Sequence, residues 1–600
     1  MIRRMLANVK RQKPALFGVC ALYTLAAGLY PFLAVLLPRF MIGELEKGSG
    51  ASVKAVVMIA AGYFVLAGCL GLARTYLEKW SYNKLSLLRL DYLKDCCVKI
   101  MDMAYFHVED AGFMMKYDKA FIATQSNDNG VEGIYHRLFE LPALILTILI
   151  LTIQIGFLSP WVLLGLCAGL LCRVTASRKS YAYRYGRETE IAGWRRRIQY
   201  YSRVTSDFSY GKDIRMYGLK DRIRANYDRQ IDGYRKVRAL VAGREYRWGF
   251  LALAGLLLGD ALTYGTLLYR ALHGMSIAEF SMYLTAAATL TGCLSQAADK
   301  FGVILGEGQY VRALYGFLDT DLGERGGDHP ACSSGAPEIV FDDVSFCYPG
   351  SDTYVFRHLN LTIHAGEKLA VVGVNGAGKS TLVKLLMGLF SVTEGQIRID
   401  GTPVEEYDKK ALYSMFAPVF QEINALAFTV RENVAGKLTD IDDAKVEEAL
   451  RQAGLWEKIE GLPQKTEQMV LKVIDENGVL FSGGENQKLA IARALCKGAP
   501  IVVMVEPTAA LDALAEEQIY RDFDGLVQGK TAIYISHRLA STRFCDHIAL
   551  IGPDGVEEYG THEELMERGG EYYRMFTVQG KYYRENAQRD ILEEGRPSYE

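Results

Sequence analysis

Residues 373–380 read Gly-Val-Asn-Gly-Ala-Gly-Lys-Ser, a spacing that wraps backbone N–H groups around the phosphates of a nucleotide. The glycines let the backbone approach phosphate oxygens, and the lysine adds positive charge at the terminal phosphates. The serine hydroxyl is a ligand for the Mg²⁺ that phosphoryl transfer requires. We predict that this run binds ATP or GTP together with Mg²⁺. The predicted contacts are Gly373, Asn375, Gly376, Ala377, Gly378, Lys379, Ser380 and Thr381.

The flanking residues predict the elements that hold this loop in place. Residues 368–372, Lys-Leu-Ala-Val-Val, are typical of a buried strand, and residues 381–387 are typical of a helix. A helix that begins at the loop presents unpaired N–H groups and the positive end of its dipole to an anion. The alternative is a tight turn without a ligand, and the adjacent Lys379 and Ser380 argue against it.

The length of 600 residues exceeds a single hydrophobic core, so we expect at least two domains. The formal net charge of -2 gives no overall attraction to nucleic acid or acidic lipid. The 11 cysteines are scattered without metal-ligand spacing, which indicates free thiols in a reducing compartment.

Apolar windows concentrate in the first half of the chain, and six of them are candidates to cross a bilayer at about 20 residues per span. The first follows a basic N-terminus, but it is too long for a secretory signal and more spans follow, so we interpret it as a retained helix. The sixth contains Asp299 and is expected to line a wet interior. The windows are 15–37, 54–76, 139–158, 161–174, 248–269 and 280–303.

The distribution of Lys and Arg between the spans predicts which side of the membrane each connecting segment lies on. Residues 173–247 carry about 20 Lys and Arg against about 8 Asp and Glu, which predicts that this segment and the basic N-terminus are cytoplasmic. A nucleic-acid surface would use the same charges, but spans flank the segment. The stretches between the second and third spans and between the fourth and fifth are expected to be helical. Turns at 108–113 and 207–213 are either contacts to another domain or ordinary surface loops.

Asp260 lies within the fifth span, directly after an apolar run. An ionisable group there is costly unless it faces protein or water. It is therefore a candidate site for substrate, proton or ion pairing, and the alternative is a structural hydrogen bond to a neighbouring helix.

A second run resembles a known family. Residues 480–487, Leu-Phe-Ser-Gly-Gly-Glu-Asn-Gln, are similar to the signature sequence of ATP-binding cassette (ABC) transporters, although Phe481 and Glu485 stand where Leu and Gln are more usual. The resemblance implies that Ser482, Gly483, Gly484 and Glu485 serve the ATP of a partner subunit.

Other motifs follow in the order that this family has. Tyr348 resembles the aromatic residue that stacks on adenine, and Gln421 resembles the glutamine that joins Mg²⁺ and the attacking water to the membrane domain. Glu506 resembles the catalytic glutamate, Asp512 resembles a residue of the dimer-contact loop, and His537 resembles the switch histidine. The resemblance covers the whole chain.

The resemblance implies a multidomain fold, in which an all-α membrane domain of six transmembrane helices precedes an α/β P-loop cassette. We predict the membrane domain with long cytoplasmic helical extensions at 1–319, a linker at 320–337, the nucleotide-binding domain at 338–580 and a polar tail at 581–600. The implied function is an ATP-hydrolysing half-transporter of the exporter type in the cell membrane. Glu506 would activate the attacking water, and His537 would hold that water and the γ-phosphate.

One position departs from the family. The residue before the glutamate is usually an aspartate that holds Mg²⁺, but here it is Val505. Neighbours on a strand point to opposite faces, so Glu506 is not expected to replace it. Either Ser380, Gln421, phosphates and waters hold the metal and turnover is slower, or this half hydrolyses poorly and a different half-transporter supplies a competent site. We favour the second, a heterodimer, over a homodimer.

The resemblance leaves the direction and the cargo open. Export of a lipid, a drug-like molecule or a peptide is the first expectation, and import with the same architecture is the alternative. A hypothesis from another class is a membrane sensor or regulator that binds ATP without transport. Nucleic acid is not an expected partner.

Overall fold

The computed structural model describes residues 1–331, 335–421, 423–506, 527–552 and 555–580. The chain forms two compact units. The first comprises Met1–Met101 and Met114–Asp321, and the second comprises Asp102–Phe113 and the chain from Leu322 onward. Asp512 and the tail at 581–600 lie outside the described residues.

The regular elements in the described residues of the first unit are helices. Six of its helices are long and apolar enough to cross a membrane, namely α2, α3, α5, α6, α9 and α10 below, so the prediction of a six-helix membrane domain is confirmed. The helices are α1 Ile2–Gln12, α2 Ala15–Leu45, α3 Val53–Met101, α4 Ala111–Ile122, α5 Gly130–Gly156, α6 Pro160–Gly186, α7 Glu188–Ser206, α8 Gly211–Met216, α9 Lys220–Leu272 and α10 Ile277–Asp319. Helix α4 begins three residues before Met114, where the second segment of this unit starts.

Local sequence sets several helix starts. The Ser159 side chain accepts the N–H of Trp161, and Pro160 fills the first turn of α6, where no backbone donor is needed. The Ser276 side chain likewise accepts the N–H of Glu279 at the start of α10. The longest helices, α3 and α9, have 49 and 53 residues, so they continue well beyond the apolar windows of about 20 residues.

Helices α6 and α9 approach each other closely at a pair of small-residue motifs. Gly165 and Gly169 on α6 face Gly255 and Gly259 on α9. A Cβ on Gly169 would lie 2.9 Å from the Gly255 carbonyl oxygen, and a Cβ on Gly255 would lie 2.7 Å from Cβ of Cys172. Glycine on both helices is therefore what permits backbone contact, as is common where membrane helices associate.

The second unit contains two sheets. A four-stranded antiparallel sheet has the order β2-β1-β4-β5, and a six-stranded sheet has the order β10-β9-β3-β8-β7-β6. In the larger sheet β6, β7, β8, β3 and β9 are parallel, whereas β10 is antiparallel to β9. The strands are β1 Ile339–Cys347, β2 Tyr354–Ile363, β3 Lys368–Val372, β4 Glu394–Ile399, β5 Thr402–Pro403, β6 Phe416–Val419, β7 Ile501–Val505, β8 Thr531–Ile535, β9 His547–Gly552 and β10 Gly555–Gly560.

Helices cover the larger sheet, as expected for parallel strands buried on both faces. One apolar core joins both sheets to the helix after β3, and another packs the faces of β6, β7 and β8 against later helices. These helices are α11 Lys379–Leu386, α12 Lys409–Ser414, α13 Val430–Ala435, α14 Asp443–Gln452, α15 Trp456–Glu460, α16 Gly483–Lys497 and α17 His562–Arg568. The predicted α/β cassette is confirmed.

The short segment Asp102–Phe113 packs within the second unit, although it belongs to the range predicted for the membrane domain. The Tyr105 ring meets the Phe390 ring edge-on at 5.7 Å. Glu109 pairs with Lys384 of α11 at 2.8 Å. Burial is the largest single influence on the pKa of Lys384 and lowers it, but the hydrogen bond to Glu109 and the electrostatic effects of Tyr348, Tyr105 and Glu109 together raise the pKa overall. The turn at 108–113 is thereby attached to the helix that begins at the glycine-rich loop.

Candidate nucleotide-binding site

The glycine-rich loop connects the end of β3 to the start of α11, the context that the sequence predicts. Gly378 has a φ of 91°, and a Cβ there would lie 2.5 Å from the Phe356 ring. Gly373 has a φ of 153°, and a Cβ there would lie 2.4 Å from the Ile551 carbonyl oxygen. Both positions therefore require glycine on conformational and steric grounds.

Lys379 lies under the loop, with only 5% of its surface exposed. Its Nζ donates to the carbonyl oxygens of Gly373 at 2.9 Å and Val374 at 3.0 Å. Burial lowers the pKa of Lys379, whereas the negative charge of Glu506 acts in the opposite direction. The loop thus holds the ammonium group at its centre, and the neighbouring Ser380 is exposed at its surface.

Tyr348 and Thr381 form a contact that connects β1 to α11. Their hydroxyl groups lie 2.8 Å apart, and Thr381 is buried. The Tyr348 ring packs edge-on against Phe346 at 5.1 Å and Phe390 at 5.4 Å. The predicted adenine-stacking residue is therefore anchored beside the helix that follows the loop.

Three predicted residues from distant parts of the chain meet beside this loop. Gln421, Glu506 and His537 follow β6, β7 and β8, whose carboxyl ends lie side by side because the strands are parallel neighbours. The Gln421 Nε2 donates to Glu506 Oε2 at 2.8 Å, and the His537 Nε2 lies 2.5 Å from Glu506 Oε1. The carboxylate is thus held on both oxygens.

The backbone at Glu506 adopts an uncommon conformation. Its φ is 50°, in the left-handed region that a non-glycine residue seldom adopts. Its N–H donates to the Ile535 carbonyl oxygen at 2.9 Å, which ties it to the end of β8. Its side chain is 16% exposed and the His537 side chain is 42% exposed, so the carboxylate is sheltered beneath an accessible imidazole. Such conformations cluster at functional sites.

Val505 is the last residue of β7, and its side chain is buried. It is 5% exposed and belongs to the core between the two sheets, together with Val503 and Ile535. Its neighbour Glu506 instead lines the open cleft. Glu506 follows the end of β7 in the left-handed region, so strand alternation does not decide its direction, and position 505 presents only hydrocarbon.

An open cleft brings seven of the predicted residues together. It is lined by Gly373, Val374, Asn375, Gly376, Ser380, Gln421, Glu506, Ser536, His537, Leu539, Met575 and Gln579. The sequence did not point to Ser536, Leu539, Met575 or Gln579. Of these, Gln579 donates to the His537 carbonyl oxygen at 2.7 Å and accepts the Leu539 N–H at 2.9 Å. Its place near the end of the described chain carries no motif, so only the fold reveals it.

The signature segment does not line this cleft. Ser482 begins α16, where its hydroxyl accepts the Glu485 N–H at 3.3 Å while the Glu485 carboxylate accepts the Ser482 N–H at 2.8 Å. The hydrogen bond from the Ser482 N–H is the main reason that the pKa of Glu485 is lowered, and Lys458 adds to it. Ser482 and Gly483 remain exposed.

Asp260 of the fifth span contacts α10. The Thr291 hydroxyl donates to Asp260 Oδ1 at 3.3 Å. Asp299 of the sixth span pairs with Arg173 at 2.9 Å, and its side chain is 67% exposed. The contact at Asp260 is of the kind expected for a structural hydrogen bond between helices, and a role in substrate binding stays a prediction.

Comparisons with known proteins agree with this arrangement. The family described as "ABC transporter" matches residues 356–509. The chain is 31% identical over 445 residues to the "ATP-dependent lipid A-core flippase" of Alkalilimnicola ehrlichii, covering 72% of this chain and 73% of that protein. The chain belongs to the ABC transporter family. It is a multi-pass membrane protein of the exporter type, with fused membrane and ATP-binding parts, and it is classed with the ATP-hydrolysing members.

Other matches extend the comparison. The flippase of Alcanivorax borkumensis is 34% identical over 316 residues, covering 52% of this ABC protein and 53% of that relative. The flippase of Paraburkholderia xenovorans is 38% identical over 270 residues, covering 44% of each chain. The solved "Structure of a bacterial Atm1-family ABC exporter with ATP bound" is 20% identical, with a TM-score of 0.76 over 95% of this chain and 99% of that one. It supports the fold.

Proposed function

We propose that this ABC protein is a transporter half that dimerises and couples ATP binding and hydrolysis to alternating access of its membrane helices. The observation that carries the proposal is the Glu506 carboxylate, which is placed between Gln421 and His537 beside the glycine-rich loop. Glu506 orients or deprotonates the attacking water, a contribution worth about 10²–10⁴-fold. Lys379 and the loop N–H groups stabilise charge on the transferred phosphoryl group.

The residues that hold Mg²⁺ in this proposal are Ser380 and Gln421. Both line the cleft, and both have a neutral side-chain oxygen. Mg²⁺ binds oxygen ligands and often takes only one or two from protein, with phosphates and waters completing its shell. The donor set therefore fits the ion, although Val505 adds no oxygen. When bound, Mg²⁺ neutralises phosphate charge.

A dimer completes the ATP site in this proposal. The exposed Ser482 and Gly483 lie outside the cleft of their own chain, which supports a role at the ATP of a partner subunit. Val505 weakens the metal site of this chain, so a non-identical partner with a competent site is favoured over a second copy. Nucleotide shifts the conformational balance only to the extent that it binds the closed dimer better.

Two turns are proposed to transmit the change to the membrane helices. The first, at 108–113, reaches α11 through the contact between Glu109 and Lys384. The second, at 207–213, carries exposed apolar side chains: Phe208 is 96% exposed, and the nearby Met216 is 82% exposed. Large apolar groups displayed together favour a surface that a partner covers. Crosslinks that place either turn far from every cassette would contradict this role.

Export of a lipid, drug-like or peptide substrate is the proposed direction. The names of the relatives favour a lipid. Import with the same architecture is the alternative, and a membrane sensor that binds ATP without moving a substrate is the alternative from another class.

The first experiment measures Mg²⁺-dependent ATP hydrolysis by the purified homodimer in lipid nanodiscs, with Glu506→Gln as the matched control. We expect weak hydrolysis that the control abolishes while ATP binding is kept. Robust turnover by the homodimer would overturn the impaired-site hypothesis. ATP-dependent flux in vesicles then separates transport from sensing, and the sidedness of that flux separates export from import.

A further inference from the structure

A cleft between α6 and α10 combines a basic part with an apolar part. We refer to it as the α6–α10 cleft, and its principal residues are Val174, Arg178, Tyr181, Phe301, Leu305 and Arg312. Tyr181 and Gln309 also line an adjoining, more polar cleft that includes Arg184, Glu188 and Glu307. The two shared residues place these clefts next to each other in the first unit.

The wall of the α6–α10 cleft is fixed by close packing. The Tyr181 ring of α6 lies against Gly302 and Gly306 of α10, one turn apart. A Cβ on Gly302 would lie 2.7 Å from this ring, and a Cβ on Gly306 would lie 2.9 Å from it. Side chains at either position would displace the tyrosine. The position of the Tyr181 ring, and with it this wall of the cleft, therefore depends on the two glycines.

The charge in the cleft is positive and is not neutralised within the described residues. The exposed guanidinium groups of Arg178 and Arg312 form no hydrogen bond or ion pair with another described residue. The acidic groups nearby have other partners: Glu188 pairs with Arg195 at 3.8 Å, and Glu307 accepts the Gly130 N–H at 2.9 Å. Two arginines thus remain for an anion, which a guanidinium binds through paired N–H groups.

A polar atom next to these arginines also lacks a partner. The Oε1 of Gln309 is buried without a hydrogen bond among the described residues. A buried acceptor without a donor is destabilising, so such groups are usually satisfied by water or a ligand. Gln309 lines both clefts, and a ligand hydroxyl or amide there would supply the missing donor.

The apolar part lies toward the membrane. Val174 closes the apolar window at 161–174, and Phe301 and Leu305 are 49% and 54% exposed near the end of the sixth span. Arg178 and Arg312 come later along the same two helices, farther from the apolar windows. A molecule that fills the cleft therefore meets hydrocarbon at the membrane side and positive charge beyond it.

We propose that the α6–α10 cleft binds an anionic amphiphile, with a phosphate or carboxylate head at Arg178 and Arg312 and hydrocarbon against Phe301 and Leu305. A small soluble anion would leave the apolar part uncovered, and a neutral lipid would leave both arginines without a partner. The inference rests on the proposed transport function, since it names the class of substrate that the membrane half takes up. Binding itself requires no ATP.

The test measures equilibrium binding of tritiated dioleoyl phosphatidic acid to the full-length protein in detergent without nucleotide. The paired variant Arg178→Gln, Arg312→Gln is compared with Arg222→Gln, Arg229→Gln, which removes the same charge from exposed arginines of α9. We expect the first pair to weaken binding at least tenfold and the second to change it less than twofold. Phe301→Ser is expected to weaken binding about threefold or more through the loss of apolar contact.

Competition with unlabelled molecules tests whether binding requires both the anionic head and the hydrocarbon chains. Dioleoylglycerol, which lacks the charge, is expected to displace the probe at least tenfold less well than unlabelled phosphatidic acid. Inorganic phosphate at millimolar concentration is expected not to displace it. Equal loss in both paired variants, unchanged binding in the cleft pair, or displacement by phosphate alone would each overturn the proposal.

A lysine variant and a flux measurement distinguish failure of the cleft proposal from failure to fold and from failure of the transport function. If the glutamine pair fails to purify as a folded protein, Arg178→Lys, Arg312→Lys retains the charge and is expected to keep binding within about threefold. Loss of lipid binding in that folded pair would contradict a charge-based site. Lipid binding without ATP-dependent flux would refute the transport function alone, whereas flux without lipid binding would refute the cleft.

Discussion

Val505→Asp restores the side chain that the ABC family usually has at this position, so it tests whether the metal site limits hydrolysis. Valine and aspartate have similar volumes, but valine branches at Cβ into two methyl groups, whereas aspartate places a planar carboxylate one bond farther out, at Cγ. In the structure Val505 ends β7 directly before Glu506, and its side chain is 5% exposed in the core between the sheets. We expect the variant to be less stable than the native chain without metal but to hydrolyse ATP faster with Mg²⁺.

Burial and charge set the size of the expected changes in stability and in turnover. An unpaired carboxylate in the core costs several kcal/mol when fully buried, and the position next to the cleft reduces that to about 2 kcal/mol. A loss of about 2 kcal/mol lowers the Tm of a domain of this size by about 4–8 °C without metal. An added anionic ligand for Mg²⁺ is expected to raise kcat about ten- to a hundredfold, which corresponds to about 1.4–2.8 kcal/mol in the transition state.

The assay compares ATP hydrolysis and thermal unfolding of the homodimer across a Mg²⁺ titration. Val503→Asp is the matched control, because Val503 faces the same core two residues earlier and is 0% exposed. We expect Val505→Asp to be activated and restabilised by Mg²⁺ with ATP, and Val503→Asp to be destabilised without activation. A folded Val505→Asp variant that binds ATP but hydrolyses it no faster than the native chain would refute the reasoning.

Three other predictions concern the loop, the carboxylate and the membrane helices. Glu506→Gln is expected to reduce hydrolysis at least 100-fold while ATP binding, measured with a fluorescent analogue, changes less than threefold. Gly378→Ala is expected to abolish ATP binding, because the new methyl group would clash with the Phe356 ring in addition to the strain of a positive φ. Gly376→Ala has the same strain but no clash, so it is expected to weaken ATP binding only about three- to tenfold. Equal effects of the two variants on ATP binding would contradict the steric argument. Gly169→Leu is expected to lower the yield of folded protein by separating α6 from α9, whereas Gly186→Leu, with nothing within 4 Å, should be neutral in size-exclusion chromatography.

The order of elements around the glycine-rich loop is predictable from sequence because the information is local. A strand, a loop with fixed glycines and a helix follow one another within about 20 residues, and each has its own periodicity. Glu506 and His537 each follow an apolar β-strand, so their place at the carboxyl edge of a parallel sheet could also be expected. The six spans are predictable for the same reason, since length and hydropathy decide them.

Other parts of the site depend on contacts that no local pattern records. Gln579 reaches His537 across 42 residues of sequence through hydrogen bonds to backbone atoms, for which any polar side chain of suitable length would serve. The pairing of Glu109 with Lys384 joins residues 275 apart and depends on where Asp102–Phe113 leaves the long helix. Such contacts follow from the packing of whole elements, and a single sequence does not reveal them.

The ATP cleft of this chain and its signature serine are in separate places and differ in how complete they are. Its own cleft contains the glycine-rich loop, Glu506 and His537 but lacks a carboxylate at Val505, whereas Ser482 is well formed at the start of α16 and lies outside that cleft. A capping box between Ser482 and Glu485 satisfies backbone N–H groups at this helix start, and the hydrogen bond from the Ser482 N–H lowers the Glu485 pKa. In the proposed dimer, a defect at position 505 would therefore affect only the ATP bound by this chain. In a dimer with a partner that has the aspartate, the second ATP site would use the partner's metal ligands and the intact Ser482, so one full catalytic site would remain.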